Sequence, residues 1–268
     1  MTETYREIEF EALAEAVKSI ARRAGEAILE VYEKPENFEV ELKSDHSPLT
    51  RADRASNQII NEGLKKLSWQ FPIVSEENQS VPFEKRKHFE TYWLVDPLDG
   101  TKEFIKRNGD FTINIALVEN GAPVFGVVFV PFWKEMYWGG ADEGAFFQKG
   151  DEAAEPIGAA HFSLRESGLK IVCSRSHLDE ATRAMIEKFD RPEMISRGSA
   201  LKFLLLAKGE AHLYPRFGPT MEWDTAAAQI ILEEAGGQLL QMQNRKPLVY
   251  NKPDLLNPPF LAMAAVTD

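Results

Sequence analysis

Tyr92-Trp93-Leu94-Val95-Asp96-Pro97-Leu98-Asp99-Gly100-Thr101-Lys102-Glu103-Phe104 is the stretch around which the rest of the chain is read. Its first four residues are aromatic, aliphatic or β-branched and predict a buried strand. Pro97 then breaks the run. It fixes its own φ, removes a backbone donor and pushes Asp96 out of helical geometry. Asp99-Gly100 is a turn signal. Two carboxylates, Asp96 and Asp99, are therefore expected at or just past a strand end, separated by a rigid elbow, where open α/β proteins carry their chemistry. Two such carboxylates repel, and a divalent cation removes the repulsion. Taken alone, an Asp-x-x-Asp is more often a turn whose acids cap backbone groups, because Asp is an ordinary turn residue. The remainder of the chain has to decide.

A chain of 268 residues suits one large domain or two small lobes sharing a core. Apolar residues make up 44% of it, enough for a globular interior. With 31 Lys and Arg against 42 Asp and Glu, the net charge of -11 argues against a nucleic-acid polymer as partner. A small anionic ligand stays compatible, because bound metal or a few basic side chains invert the local field. The single Cys173 excludes an intrachain disulfide framework and a Cys-based zinc site, and fits a reducing compartment. The N-terminus is polar and acidic, unlike a signal peptide, and no apolar run is long enough to cross a bilayer. The expectation is a cytoplasmic protein with no obligatory membrane contact, peripheral association with an inner membrane being compatible.

Upstream, Leu13, Val17, Ile20, Ala24 and Ile28 recur at helical spacing and predict a long amphipathic helix over 11–32. Phe38 to Leu42 alternates like a short strand. Thr50 reads as the N-cap of a second helix over 51–67, with Asp53 in its first turn. That placement alone favours dipole compensation for Asp53. Phe71 to Val74 predicts a strand running into Glu76 and Glu77, either a solvated pair or metal ligands. Downstream, 110–119 and 123–131 predict strands joined by the hairpin signal Asn120-Gly121, continued at 135–139 and 144–148. Helices followed by an antiparallel run argue for a layered α+β protein. The polar stretch 151–168 reads as a connection, and Leu169 to Cys173 as a buried strand. Gly198-Ser199 opens a helix over 200–208, where free backbone N–H groups suit an anion, although a single Ser is ordinarily just a cap. Asp224 stands at the start of a helix that Gly236-Gly237 ends, again an ordinary cap position. Strands at 237–241 and 260–264 close the chain.

Together, Glu76-Glu77, Asp96-Pro-Leu-Asp-Gly-Thr101, and Glu222-Trp-Asp224-Thr-Ala-Ala ahead of Gly236-Gly237 resemble, in order, the signatures of the inositol monophosphatase superfamily. These are magnesium-dependent, lithium-sensitive sugar and nucleotide phosphatases. Gly100-Thr101-Lys102-Glu103-Phe104, the run Lys43-x-Asp45-x-Ser47-Pro48-x-Thr50-x-Ala52-Asp53 and Gly218-Pro-Thr-Met-Glu-Trp-Asp224 look most like its CysQ branch, the bacterial 3'(2'),5'-bisphosphate nucleotidases. Met221 stands where that branch more usually has Ser.

The resemblance implies a layered αβαβα sandwich, the sugar-phosphatase fold, with mixed and antiparallel sheets. It divides into an N-terminal α+β lobe over 1–155 with most metal ligands and a C-terminal α/β lobe over 156–268 with Asp224 and the substrate contacts. It implies two or three magnesium ions and inhibition by lithium. Asp96 would bridge two ions, Glu76 and the Leu98 carbonyl would complete the first, and Asp99 with Asp224 would hold the second. Asp53, Glu76 and Thr101 are the implied catalytic residues, with Thr101 and Glu76 orienting the attacking water and Asp53 pairing with Thr101. Glu77 is left as a supporting group or a contact to a third ion. The amides of Gly100 and Thr101 would hold the phosphate. Leu98, Asp99, Asp224, Ser199 and Lys202 would border the substrate, with Ser176 and His177 near the nucleotide; Lys202 is equally well read as a solvated surface lysine. The implied reaction is hydrolysis of the 3'-phosphate of adenosine 3',5'-bisphosphate, clearing a by-product of sulfate activation. Inositol monophosphate or a sugar bisphosphate is the alternative substrate. A monomer and a homodimer both fit.

Overall fold

The computed structural model describes residues 4–34, 36, 38–42, 48–78, 80–175 and 178–267. α1 (Phe10–Tyr32) buries Leu13, Val17, Ile20, Ala24 and Ile28 on one face, as their spacing requires. A two-strand ladder, β1 (Glu41–Leu42) with β2 (Pro48–Leu49), leads into α2 (Arg51–Leu64), which packs on α1. β3 (Ile73–Ser75), α3 (Phe83–Arg86), β4 (Thr91–Asp99) and α4 (Thr101–Ile105) follow. β5 (Thr112–Glu119), β6 (Ala122–Val130), β7 (Glu135–Gly140), β8 (Gly144–Lys149) and β9 (Glu155–Pro156) then extend one sheet. Its seven strands lie in sequence order, parallel at β3–β4 and antiparallel elsewhere. Asn120 and Gly121 both adopt positive φ, so the hairpin turn expected between β5 and β6 forms.

β10 (His161–Phe162), β11 (Lys170–Ser174), α5 (Glu180–Ile186), β12 (Glu193–Arg197), α6 (Leu201–Ala207), β13 (Leu213–Arg216) and α7 (Ala226–Glu234) come next. β14 (Gln238–Gln241), β15 (Phe260–Met263) and β16 (Ala265–Val266) end the chain. β10 pairs with β16, and the other five strands form a second, mixed sheet in the order β12-β11-β13-β15-β14. Helices α1 and α2 cover one face of the first sheet, α6 and α7 fill the space between the sheets, and α5 lies outside on β13. This is the layered αβαβα arrangement.

β4 is the wall between two cores. Trp93 and Val95 pack toward α1, while Tyr92 and Leu94 join the core that α6 and α7 share with the second sheet. With both faces covered, its run from Tyr92 to Val95 is apolar without a break and does not alternate with polar residues. The strand also corrects the expected break at Pro97. It continues to Asp99, because Asp96 pairs with Asn114 and Asp99 with Thr112, so β4 takes three steps where β5 takes two. The extra residue is a bulge, the position in a sheet that tolerates a residue without an N–H. The stretch 151–168, read as a bare connection, holds β9 and β10, both too short to give a periodic signal.

Candidate active site

The bulge is braced from α2. Ser56 Oγ donates to the Pro97 carbonyl at 2.6 Å, and the Leu98 amide turns back to Asp96 Oδ1 at 3.0 Å. One turn N-terminal to Ser56, Asp53 is buried and divides its two oxygens. Oδ2 accepts from the amide and the hydroxyl of Thr50 at 2.7 and 2.6 Å, closing the capping box of α2. Oδ1 accepts from Thr101 Oγ1 at 3.1 Å. Asp53 is thus both the cap that its position suggests and the partner of Thr101. The Thr101 hydroxyl has one proton, and the Asp53 carboxylate at 3.1 Å is a better acceptor than the Leu98 carbonyl at 3.4 Å. Its lone pairs remain available as acceptors.

Asp96, Asp99 and Asp224 each bring a carboxylate oxygen within 4.8 Å of the others, although Asp224 is more than a hundred residues away in sequence. Glu76, at the end of β3, lines the same cavity of about 280 Å³ together with Leu98, Gly100 and Thr101. The Asp224 carboxylate also accepts from the Met221 amide at 2.7 Å. Burial pushes the Asp96 carboxyl well above the usual carboxylate range, and the charges of Glu76, Asp99 and Asp224 push it further. Asp224 is raised to about 8 by burial, then by Asp99 and Glu76. Asp99 is raised by burial against the opposing effect of the Lys202 ammonium. Carboxylates held together against mutual repulsion could share a cation, which would remove that repulsion. The donors are all oxygen, and no His or Cys is among the described residues that line the cavity, so the set fits a hard cation such as magnesium and not zinc.

Lys202 is no solvated surface lysine: it is 6% exposed, lines the cavity and donates to the Ser199 carbonyl. Burial lowers its pKa to about 8 although Asp99 acts in the other direction. Ser199 lines the cavity too, but its hydroxyl faces the carbonyls of Asp99 (2.8 Å) and Asp110 (2.7 Å). It holds two loops together, and the helix cap is Ala200. Sequence reading missed Arg216, which lines the cavity and donates to the Gly218 and Pro219 carbonyls at 3.1 and 3.0 Å. A charged residue ending the apolar strand β13 was the available signal. Asp110, buried and accepting from the Gly198 amide at 3.0 Å, carried no signal of its own. Ser176 and His177, and the Lys43, Asp45 and Ser47 positions of the motif, lie outside the described residues.

Gly100 is required by geometry. Its φ is +93°, and a Cβ there would lie 2.1 Å from Ser199 Oγ and 3.0 Å from the Asp110 carbonyl. Gly100→Ala is expected to cost more than about 1 kcal/mol of stability and to lower kcat/KM by displacing Thr101. Thermal melting and phosphate release check this; a variant unchanged in both would mean that the loop can shift without consequence.

Residues 9–266 match the model of the inositol monophosphatase family. The chain is 43% identical over 249 residues to the 3'(2'),5'-bisphosphate nucleotidase CysQ of Salmonella typhimurium, covering 92% of this chain and 98% of that protein. It is 42% identical over 250 residues to the protein of the same name from Escherichia coli K12, with 92% and 98% coverage. Among solved structures it is similar to CysQ from Bacteroides thetaiotaomicron, described as a bacterial member of the inositol monophosphatase family. The TM-score is 0.84 at 43% identity, over 95% of this chain and 98% of that one. No helix among the described residues is long and apolar enough to cross a membrane.

Proposed function

Because this chain belongs to the inositol monophosphatase family, we propose that it is a magnesium-dependent 3'(2'),5'-bisphosphate nucleotidase. It hydrolyses the 3'-phosphate of adenosine 3',5'-bisphosphate to AMP and phosphate, and so clears a by-product of sulfate activation. One observation carries the reading. A single cavity gathers Asp96, Asp99, Asp224 and Glu76, a hydroxyl aligned by a buried carboxylate, and two buried cations, Lys202 and Arg216. Two buried cations beside the acids suit a substrate with a second phosphate.

Asp96, Glu76 and the Leu98 carbonyl would hold one magnesium ion, and Asp99 with Asp224 a second. Bound there, the ions would neutralise phosphate charge and lower the pKa of a water. The protein supplies orientation and proton handling. Thr101, donating to Asp53, offers its hydroxyl oxygen as acceptor to the attacking water, and Glu76 offers a second acceptor. Asp53 keeps the Thr101 proton directed away from the cavity. The amides of Gly100 and Thr101, at the start of α4, would hold the scissile phosphate. Lithium inhibition follows from the same reading. A cytoplasmic location agrees with a sequence whose single cysteine, Cys173, forms no intrachain disulfide.

The test is phosphate release from adenosine 3',5'-bisphosphate and from inositol 1-phosphate, side by side, with magnesium and with chelator. Faster turnover of the bisphosphate is expected; faster turnover of the inositol ester would move the enzyme to the inositol and sugar phosphatase reading. Lys202→Met should raise KM for the bisphosphate by about tenfold or more, the size of a lost charge-assisted hydrogen bond, and leave the inositol ester little affected. Equal effects on both substrates would remove Lys202 from the second-phosphate contact.

A further inference from the structure

Asp224 is the one acid of the cluster that does not come from the first sheet, and its turn is held from outside. Glu222, two residues earlier, has no solvent exposure. Its carboxylate accepts from the amides of Asn251 (2.7 Å) and Lys252 (3.0 Å) and from the Lys252 ammonium (2.5 Å). Asn257 Nδ2 donates to the Met221 carbonyl at 2.8 Å and to Thr225 Oγ1 at 3.0 Å, and Met221 bridges to Leu256. Residues 250–257 are thus a strap across the Asp224 turn.

Where it meets Glu222 the strap is also fastened by Arg86, the last residue of α3, which is 3% exposed. Its Nη1 donates to Asn251 Oδ1 at 2.9 Å and its Nη2 to the Pro253 carbonyl at 2.8 Å. Its own carbonyl accepts from Asn251 Nδ2 at 2.7 Å. Burying a guanidinium is costly unless its donors are used, and a planar fork serves two acceptors in a way that an ammonium does not. α3 lies between Glu76 and β4, so Arg86 joins the chain that carries Glu76, Asp96 and Asp99 to the strap that holds Asp224. Arg86 is not among the described residues that line the cavity.

We propose that Arg86 is a positioning residue for the metal site: through Asn251 and Glu222 it sets where the Asp224 carboxylate stands relative to Asp96 and Asp99. This rests on the metal reading above. Carboxylates that repel one another stay in register only when their backbones are restrained, and partners behind metal ligands set affinity for the ion.

The experiment titrates magnesium chloride against the full chain and reads both melting temperature and phosphate release. Arg86→Ala is expected to raise the half-saturating magnesium concentration about tenfold in both readouts, with kcat at saturating magnesium within about threefold of the unsubstituted value. Arg86→Lys should recover only part of the shift. Asn251→Gly removes the acceptor yet tolerates the φ of +65° at that position. It should give the same shift, and it carries the test if Arg86→Ala does not fold. A purely structural Arg86 would lower the melting temperature equally at every magnesium concentration, and unchanged half-saturation in the variants overturns the proposal. If the unsubstituted protein shows no magnesium-dependent rise in melting temperature, the metal assignment fails instead.

Discussion

Asp96→Asn is expected to abolish magnesium-dependent phosphate release while the protein stays folded. Asp96 is the most buried member of the cluster, and the charges of Glu76, Asp99 and Asp224 all act on it. Loss of a supporting partner typically costs 10–100-fold, so loss of a carboxylate that would itself hold the ion should cost about 10³-fold or more. Stability should move in the opposite direction. Asn removes one of several repelling carboxylates and keeps an oxygen that the Leu98 amide can use. The metal-free variant should therefore melt above the metal-free parent, and magnesium should raise its melting temperature less. Phosphate assay and melting with and without chelator check both parts. Near-normal turnover would refute the metal role of Asp96.

Thr101→Ala is expected to lower kcat by about 10²–10³-fold, the range for a lost proton-handling group, with the half-saturating magnesium concentration nearly unchanged. Its hydroxyl is aligned by Asp53 at 3.1 Å, and Asp53 is itself fixed by two bonds from Thr50. Thr101→Ser keeps the hydroxyl and should recover most of the activity. If Thr101→Ala weakens magnesium binding more than it lowers kcat, the hydroxyl is holding the metal loop and not the water.

The acids that line the cavity stand at element boundaries, which by themselves read as turns and caps; the resemblance of the ordered motifs to a known family is what singled them out. Glu76 follows a short apolar strand, Asp96 and Asp99 flank a proline, and Asp224 precedes a helix. The bulge in β4 was not legible, since a proline reads as a stop and only the register with β5 shows the strand continuing. β12 (Glu193–Arg197) gave no signal because it is a mostly exposed edge strand with no apolar alternation, held by its parallel pairing with β11. Arg86 bonds Pro253 at 167 positions' remove and Asp110 bonds Gly198 at 88, while the bonds of Lys202 and Arg216 to nearby carbonyls leave their burial to the folded cavity. Apart from Arg216, which ends an apolar strand, these charged residues carry no local mark of burial, so the other supports of the site and the role of Ser199 as a brace were not open to local reading.

The two arms of the site should open at different free-energy levels. β4 is the wall of both cores, so its backbone amides have no local route to solvent, and hydrogen exchange there should follow global unfolding. The Asp224 turn hangs on a polar strap at the edge of the larger core, and its amides should exchange through a smaller, local opening. A ligand that ties the turn to β4 should therefore slow exchange at 221–225 and 250–257 and leave β4 unchanged. The site would then combine an arm whose local stability equals that of the whole fold with one whose local stability a bound ligand raises.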